Sequence, residues 1–407
     1  MPERIFFVLA AILALQSIAS LRDGFRFLRY FRSSLRQTPG NFTPSAAIIV
    51  PVKGIDADLE TNIADYLAQD YPGYQLIFVV SSESDPAHAL LRECVQRYQP
   101  QASGCAKVEL VVAGFADDRG EKVNNLLVGL SAVEARTEVL VFADADARPA
   151  QDWLRSLVVP LADAEITVST GFRWYLPGRG FVSRLRAAWD TSIATLLGDH
   201  RSNFAWGGSM AVRAEDFKRL RIAERYWKRT VSDDYAVTRA VREAGGRIRF
   251  EPRCLMASRE DSSFRDFIRW SNRQIILTRV YAARLWLLGL VAHLIYCGTI
   301  SFGLVLIAAG LLPARHRLII AGILAGILLL GILKGGIRSV VAREKFPEER
   351  ASLERHGSCY WMLTPIVPWV MFFNFVVAGF GRRIEWRGTR YELVSPEEVR
   401  ILSRDSD

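Results

Sequence analysis

Two rhythms of apolar residues divide this chain. Long unbroken apolar runs occupy its ends, and short strand-like and helix-like segments alternate through its middle. Residues 5–21 are apolar and free of charge, roughly the length that crosses a ~30 Å hydrocarbon core. Residues 285–312, 318–333 and 360–380 repeat that pattern. A buried core helix is the plain alternative for any one of them, but four together predict membrane helices. Between about 45 and 257 the rhythm changes. Strands are predicted at 46–51, 76–80, 108–112 and 139–142, and helices at 59–69, 87–98 and 122–135, the last with Leu126, Leu127, Leu130 and Val133 on one face. Continuous apolar strands alternating with helices predict a parallel sheet covered on both faces. Ligands of such sheets bind beyond the carboxyl ends of the strands. Residues 264–283 mix apolar positions with Arg265, Arg269, Arg273 and Arg279, the pattern of an amphipathic helix on a membrane surface; a solvated helix is the alternative.

The expected organisation is therefore an anchor with a basic flank (1–44), an α/β domain (45–262), an interfacial helix (263–284), membrane helices (285–381) and a basic tail (382–407). Composition agrees with this mixture: of 407 residues, 50% are hydrophobic and 23% charged. A signal peptide is the rival reading of the first run. No small-residue cleavage site follows it, however, and Arg22, Arg26, Arg29, Arg32 and Arg36 read as the cytoplasmic flank of an uncleaved anchor. Arginine beside apolar runs accounts for the net charge of +9, and neither a nucleic-acid recognition module nor aromatic-basic interleaving is found, so no nucleic-acid partner is expected. The five scattered cysteines form no C-x-x-C pair, which points to neither zinc nor a disulfide framework.

Four segments carry candidate chemistry. Asp144-Ala145-Asp146 follows the strand at 139–142. Two carboxylates so placed can share one Mg2+ or Mn2+, the remaining coordination positions being filled by water and phosphate oxygens. Glu83 and Asp85 follow the strand at 76–80; either can accept hydrogen bonds from a base or ribose, although Asp85 before Pro86 also reads as a helix cap. Ser232-Asp233-Asp234 opens a helix. One of the two aspartates can serve as a general base, its pKa raised by desolvation and a like-charged neighbour; capping accounts for Ser232 and Asp233 and leaves Asp234 unexplained. Arg269-Trp270 offers a guanidinium for phosphate and an amphipathic ring for a sugar or a membrane edge.

In order and spacing these segments resemble the family 2 type of inverting glycosyltransferases, and within it the ceramide glucosyltransferases. The resemblance rests on Pro51-Val-Lys53-Gly54-Ile-Asp56, Asp85-Pro86-Ala87, Lys122-Val-Asn124-Asn125-Leu126, Asp144, Asp233-Asp234-Tyr235, Arg269-Trp270 and Trp386-Arg387-Gly388-Thr389-Arg390-Tyr391, spread over about 45–400. It implies a GT-A type, Rossmann-like α/β catalytic domain with membrane helices. It implies a UDP-sugar donor, a membrane-lipid acceptor held at the bilayer, and single-displacement inversion. Pro51, Lys53, Glu83, Asp85, Lys122, Asn125 and Asp144 would bind the donor, and Asp144 and Asp146 the metal. Asp234 would be the base, with Arg269 and Trp270 assisting. Asp233, Gly207 and Gly208 would line the acceptor side, an ordinary tight turn being the alternative for the glycines. Two departures stand out: Asp266 occupies the first place of the family's (Gln/Arg)-x-x-Arg-Trp pattern, and the metal motif is a full D-x-D. Bacterial enzymes that glycosylate hopanoids or other lipids share this look, as do processive polysaccharide synthases, which carry more membrane spans. A cytoplasmic catalytic domain followed by three crossings would leave the arginine-rich tail outside, so one apolar stretch is expected to be re-entrant, with 285–312 the candidate.

Overall fold

Seven segments form one sheet of the computed structural model: β1 (Ala46–Pro51), β2 (Tyr74–Val80), β3 (Cys105–Val112), β4 (Val139–Ala143), β5 (Ile166–Tyr175), β6 (Ser209–Arg213) and β7 (Arg247–Ser258). Their order is β3-β2-β1-β4-β6-β5-β7. The structure describes residues 2–38, 40–101, 104–310 and 312–404; Met1 and Pro39 of the expected anchor segment, residues 102–103, Leu311 and the last three tail residues lie outside the described residues. β3, β2, β1 and β4 are parallel neighbours, as the apolar runs predict. β6 then runs antiparallel to β4 and β5, so the sheet is mixed. The expected GT-A type α/β class holds, with three strands that the apolar runs alone did not reveal. β7 accommodates Pro252 because it is the last strand in the order, where a missing N–H costs no ladder bond.

The pleat explains the two cores. Ile48 and Val50 of β1, Leu76, Phe78 and Val80 of β2, and Val139 and Val141 of β4 enter one cluster with Leu59, Ile63, Tyr66 and Leu91. The alternate residues Ile49, Ile77, Val79, Leu140 and Phe142 enter the other, with Val123, Leu126, Val237 and Val241. Successive side chains point to opposite faces, so strands apolar at every position need helices on both sides. Helices Leu59–Leu67 and Pro86–Tyr98 cover one face, and Glu121–Leu130 and Asp233–Glu243 the other.

This sheet belongs to a unit comprising Arg32–Trp174, Leu197–Ser258 and the chain from Arg382 onward. The expected tail is structured: β8 (Arg383–Trp386), β9 (Thr389–Ser395) and β10 (Glu398–Arg404) form an antiparallel three-stranded sheet. Its arginines alternate with buried Ile384, Tyr391, Leu393 and Val399, a period of two that reads as basic only when its apolar half is overlooked.

The other unit comprises the chain up to Phe31, Tyr175–Leu196 and Arg259–Gly381. Among the described residues, three helices are long and apolar enough to cross a membrane: Pro2–Arg36, Ala283–Ala308 and Ala314–Lys345. Phe6, Ala10, Ile300, Leu306, Ile320 and Leu324 pack the three together. The re-entrant expectation for 285–312 is corrected, because Ala283–Ala308 is one unbroken helix. The break falls in 360–380, which divides into Cys359–Met362 and the 14-residue Val367–Phe380. Pro365 and Pro368 bring this about, since proline cannot donate to the preceding turn. Fourteen residues at about 1.5 Å each reach about 21 Å, short of the ~30 Å core. The basic segment forms helix Phe264–Tyr281, as expected.

Candidate active site

Acidic and basic side chains converge at the carboxyl ends of β1 and β4. The β4 loop is held by its backbone: the Tyr66 hydroxyl donates to the Asp144 carbonyl at 2.8 Å, and Asn62 Nδ2 to the Ala145 carbonyl at 2.9 Å. The two loop carboxylates are thereby free to face inward. Arg173, on β5, lies between them, with Nη2 at 3.1 Å from Asp144 Oδ2 and 2.6 Å from Asp146 Oδ1. Lys122, in the first turn of helix Glu121–Leu130, places Nζ 2.7 Å from Asp144 Oδ1 and 3.3 Å from Asp233 Oδ2. Arg387 from the β8–β9 turn reaches Asp56 at 2.7 Å and Asp146 at 3.6 Å.

Burial sets the protonation of this cluster. Asp233 is raised to about 7, first by burial and then by Asp234 and Asp144, against the downward pull of Lys122. Burial would lower Lys122, yet Asp144 and Asp233 hold it well above its ordinary value. Burial likewise acts to raise Asp146, and Arg173 and Arg387 more than offset it.

Glycine is required where β6 begins. A Cβ on Gly207 would collide with the Asp233 carboxylate, and one on Gly208 with Trp206 and the Asp144 carboxylate. The bare backbone also lets the Gly207 N–H donate to Asp234 Oδ2 at 3.3 Å. Asp234 accepts from the Ser232 hydroxyl at 2.5 Å and from the Tyr235 N–H at 2.7 Å. It is half-buried, whereas Asp233 is buried. The turn formed by the two glycines thus lies directly against the Asp144 and Asp233 carboxylates.

Lys122, Asp144, Asp146, Gly207, Gly208, Asp233 and Asp234 are brought together. Lys53 stands beside them through Glu121, 2.8 Å away. Pro51 ends β1. Asp85 caps helix Pro86–Tyr98 by accepting from the Ala87 N–H, and also accepts from the Gly54 N–H at 3.0 Å. Asn125 Nδ2 lies 3.2 Å from Ser81 Oγ, and Glu83 is exposed after β2. Arg173, Asp56 and Glu121 were not among the expected site residues. A lone arginine inside a largely apolar strand is the sequence signal for Arg173.

Arg269 and Trp270 belong to the helical unit. There Trp270 packs edge-on to Tyr175 and Trp189, and the buried Arg186 guanidinium lies 4.5 Å over its ring. Asp266, the departure from the family pattern, has a local role. Its carboxylate accepts from the Ser263 hydroxyl at 2.6 Å while its N–H donates to Ser263 Oγ, a reciprocal cap of that helix.

Two carboxylates suit a divalent cation that brings its own oxygen ligands. Among the described residues no cluster of three or more His, Cys, Asp or Glu forms a cation site. The Asp144–Asp146 pair nevertheless fits, because both carboxylates already converge on one cation, the Arg173 guanidinium. Asp56, Glu121, Asp144, Asp146, Asp233 and Asp234 face Lys53, Lys122, Arg173 and Arg387, six acids to four bases. A bound cation would reduce the acidic excess that remains when Asp233 keeps its proton.

Comparison with known proteins adds the following. The model of glycosyl transferase family 21 matches residues 6–399. A ceramide glucosyltransferase of Komagataella phaffii is 33% identical over 87 residues, 21% of this chain. Ceramide glucosyltransferase 1 of Caenorhabditis elegans is 23% identical over 119 residues, 29% of this chain. The chain spans only 16% and 24% of the lengths of these relatives. A mannosyltransferase from Pyrobaculum calidifontis, solved with GDP-Man and Mn2+, is 18% identical with TM-score 0.47, covering 93% of this chain and 98% of its own. Glucosyl-3-phosphoglycerate synthase from Mycobacterium tuberculosis, solved with Mn2+, UDP-glucose and phosphoglyceric acid, is 16% identical with TM-score 0.39, covering 60% and 86%.

Proposed function

Because the chain belongs to glycosyl transferase family 21, we propose that this glycosyltransferase moves a hexose, glucose first among them, from a UDP-sugar to the hydroxyl of a membrane lipid, ceramide first among those, with inversion at the anomeric carbon. The observation that carries the reading is the convergence of Lys122, Arg173, Asp144, Asp146, Asp233 and Asp234 at one edge of the sheet. The matches to ceramide glucosyltransferases support the choice of sugar and lipid.

Asp144 and Asp146 would hold Mg2+ or Mn2+, which supplies Lewis-acid neutralisation of the departing diphosphate. Lys122 and Arg173 neutralise the same group, already poised beside those carboxylates. Asp233 keeps Lys122 in place. Asp234 takes the proton of the lipid hydroxyl as its oxygen attacks C1 from the face opposite the diphosphate; the C1–O bond to UDP breaks and one displacement inverts the centre. The Gly207 N–H and Ser232 hydroxyl aim the Asp234 carboxylate. Lys53, Asp85, Glu83 and Asn125 belong to the donor side in this reading, Gly207 and Gly208 to the acceptor side. Arg269 and Trp270 serve the diphosphate and the sugar or headgroup. The long apolar helices keep the enzyme at its lipid substrate, so positioning replaces diffusion through water. The arginines flanking the first helix support a cytoplasmic catalytic domain.

The test incubates membranes bearing the protein with Mn2+, ceramide and labelled UDP-glucose, UDP-galactose or UDP-GlcNAc, and reads lipid products by mass spectrometry. A β-hexosylceramide is expected, lost in Asp234→Asn while UDP binding persists. Label on a different lipid would discard ceramide, and a long polymer would make the enzyme a polysaccharide synthase. Full activity of Asp234→Asn would remove Asp234 from the base role.

A further inference from the structure

The two-residue turn between β8 and β9 carries a residue that its geometry does not favour. Trp386 pairs with Thr389 across the hairpin, leaving Arg387 and Gly388 as the loop, with φ of 49° and 75°. Two positive φ values mark a type I′ turn, whose first position favours Asn, Asp or Gly because a bulky side chain is strained there. Arginine occupies it. Such an outlier persists when something other than the local backbone selects it.

The side chain indicates what does. The Arg387 guanidinium donates to both Asp56 oxygens at 3.0 and 2.7 Å and to the Lys53 carbonyl at 3.3 Å, and lies 3.6 Å from Asp146 Oδ2. The hairpin behind it is anchored at the amino end of helix Glu121–Leu130. Thr389 Oγ1 donates to Glu121 Oε2 at 3.2 Å, and the Glu121 N–H donates to the Tyr391 hydroxyl at 3.2 Å. The C-terminal sheet therefore delivers a cation to the D-x-D loop, beside Lys122 and Arg173. A guanidinium presents a rigid fork that matches paired phosphate oxygens, which an ammonium does not.

We propose that Arg387 is a donor-binding residue that takes the diphosphate of the nucleotide-sugar, and that the C-terminal hairpin forms one wall of the donor site. This rests on the nucleotide-sugar reading above. Asp56 holds the guanidinium ready, and the bidentate pair shifts to phosphate oxygens when the donor enters. The shift lengthens the Asp146 contact and leaves that carboxylate to the metal.

The decisive variant is Arg387→Asn, because Asn-Gly is the preferred type I′ pair. The hairpin keeps its fold while the guanidinium is lost. Calorimetry on the detergent-solubilised full chain with Mn2+ compares UDP with uridine, and GDP with guanosine. Arg387→Asn is expected to weaken diphosphate binding about tenfold or more, to leave the nucleoside unchanged, and to hold or raise the thermal midpoint. Unchanged UDP and GDP binding in the variant would overturn the assignment, as would an equal loss for nucleoside and diphosphate. Asp56→Asn removes the resting partner and is expected to bind diphosphate at least as tightly as wild type. A loss there equal to that of Arg387→Asn would make the contact a brace and reject the ligand role. A wild-type chain that binds neither diphosphate would refute the nucleotide-sugar reading itself, and this inference with it.

Discussion

At the scale of single residues, the adjacent carboxylates Asp233 and Asp234 have separated in character. Asp233 is sealed against Lys122, and its raised pKa comes first from burial. Asp234 keeps partial exposure and three directed donors. The sequence reading assigned burial and a like-charged neighbour to whichever of the pair was the base, and the structure lays both on Asp233. Adjacent residues at a helix start point about 100° apart, so one can be buried while its neighbour is not, and spacing alone does not say which. A pH dependence follows. Asp233 holds its proton up to about pH 7 when folded, whereas an unfolded Asp releases it near pH ~3.9. The folded state thus binds the extra proton between those values, and stability falls as pH rises through that window. The wild-type thermal midpoint should decline from about pH 4 to about pH 7, and Asp233→Asn should flatten that slope. An unaltered slope would mean that Asp233 does not titrate there.

At the scale of elements, the Asp144–Asp146 loop is braced by a helix that contributes no side chain to the charged cluster. In that helix, Leu59–Leu67, Tyr66 is fully buried, stacks edge-on to Trp153, and bonds the Asp144 carbonyl. Tyr66→Phe keeps the ring and removes only the hydroxyl, leaving a buried carbonyl unpaired at a cost of about 1–3 kcal/mol. The expected result is a lowered thermal midpoint together with a raised donor KM, because the D-x-D loop loses its tether. A change in midpoint with an unchanged KM would restrict Tyr66 to packing. The helices and parallel strands of this half were legible because each must bury a periodic apolar face. β5 and β7 were not, since Arg173, Glu251 and Pro252 interrupt their apolar pattern. Those interruptions are partly the functional and edge positions themselves.

At the scale of the whole molecule, the two long helices Ala283–Ala308 and Ala314–Lys345 form an out-and-back pair. The segments before and after them, 197–258 and 382 onward, belong to one unit. We propose that these two helices cross the membrane and that the fourth run does not, so that two spans return the chain to its starting side. The fourth run is too short in its helical part to need a crossing. A cysteine placed at Ser403 in an otherwise cysteine-free chain should resist a membrane-impermeant thiol reagent in intact cells and react once they are permeabilised. Labelling of intact cells would place the C-terminal sheet outside and reject the cytoplasmic assignment.

The sequence by itself determined the long apolar helices, the parallel half of the sheet, and the placing of the D-x-D, Lys122 and Asp233-Asp234 segments at strand and helix ends. All of these depend on local periodicity or on short motifs next to a strand end. Only the tertiary structure decided that Arg173 and the distant Arg387 meet Asp146, and that the tail is a sheet of the same unit as the D-x-D loop. Those outcomes depend on contacts between residues up to 334 positions apart. Such pairings are chosen by the closure of the whole fold and leave no periodic trace along the chain.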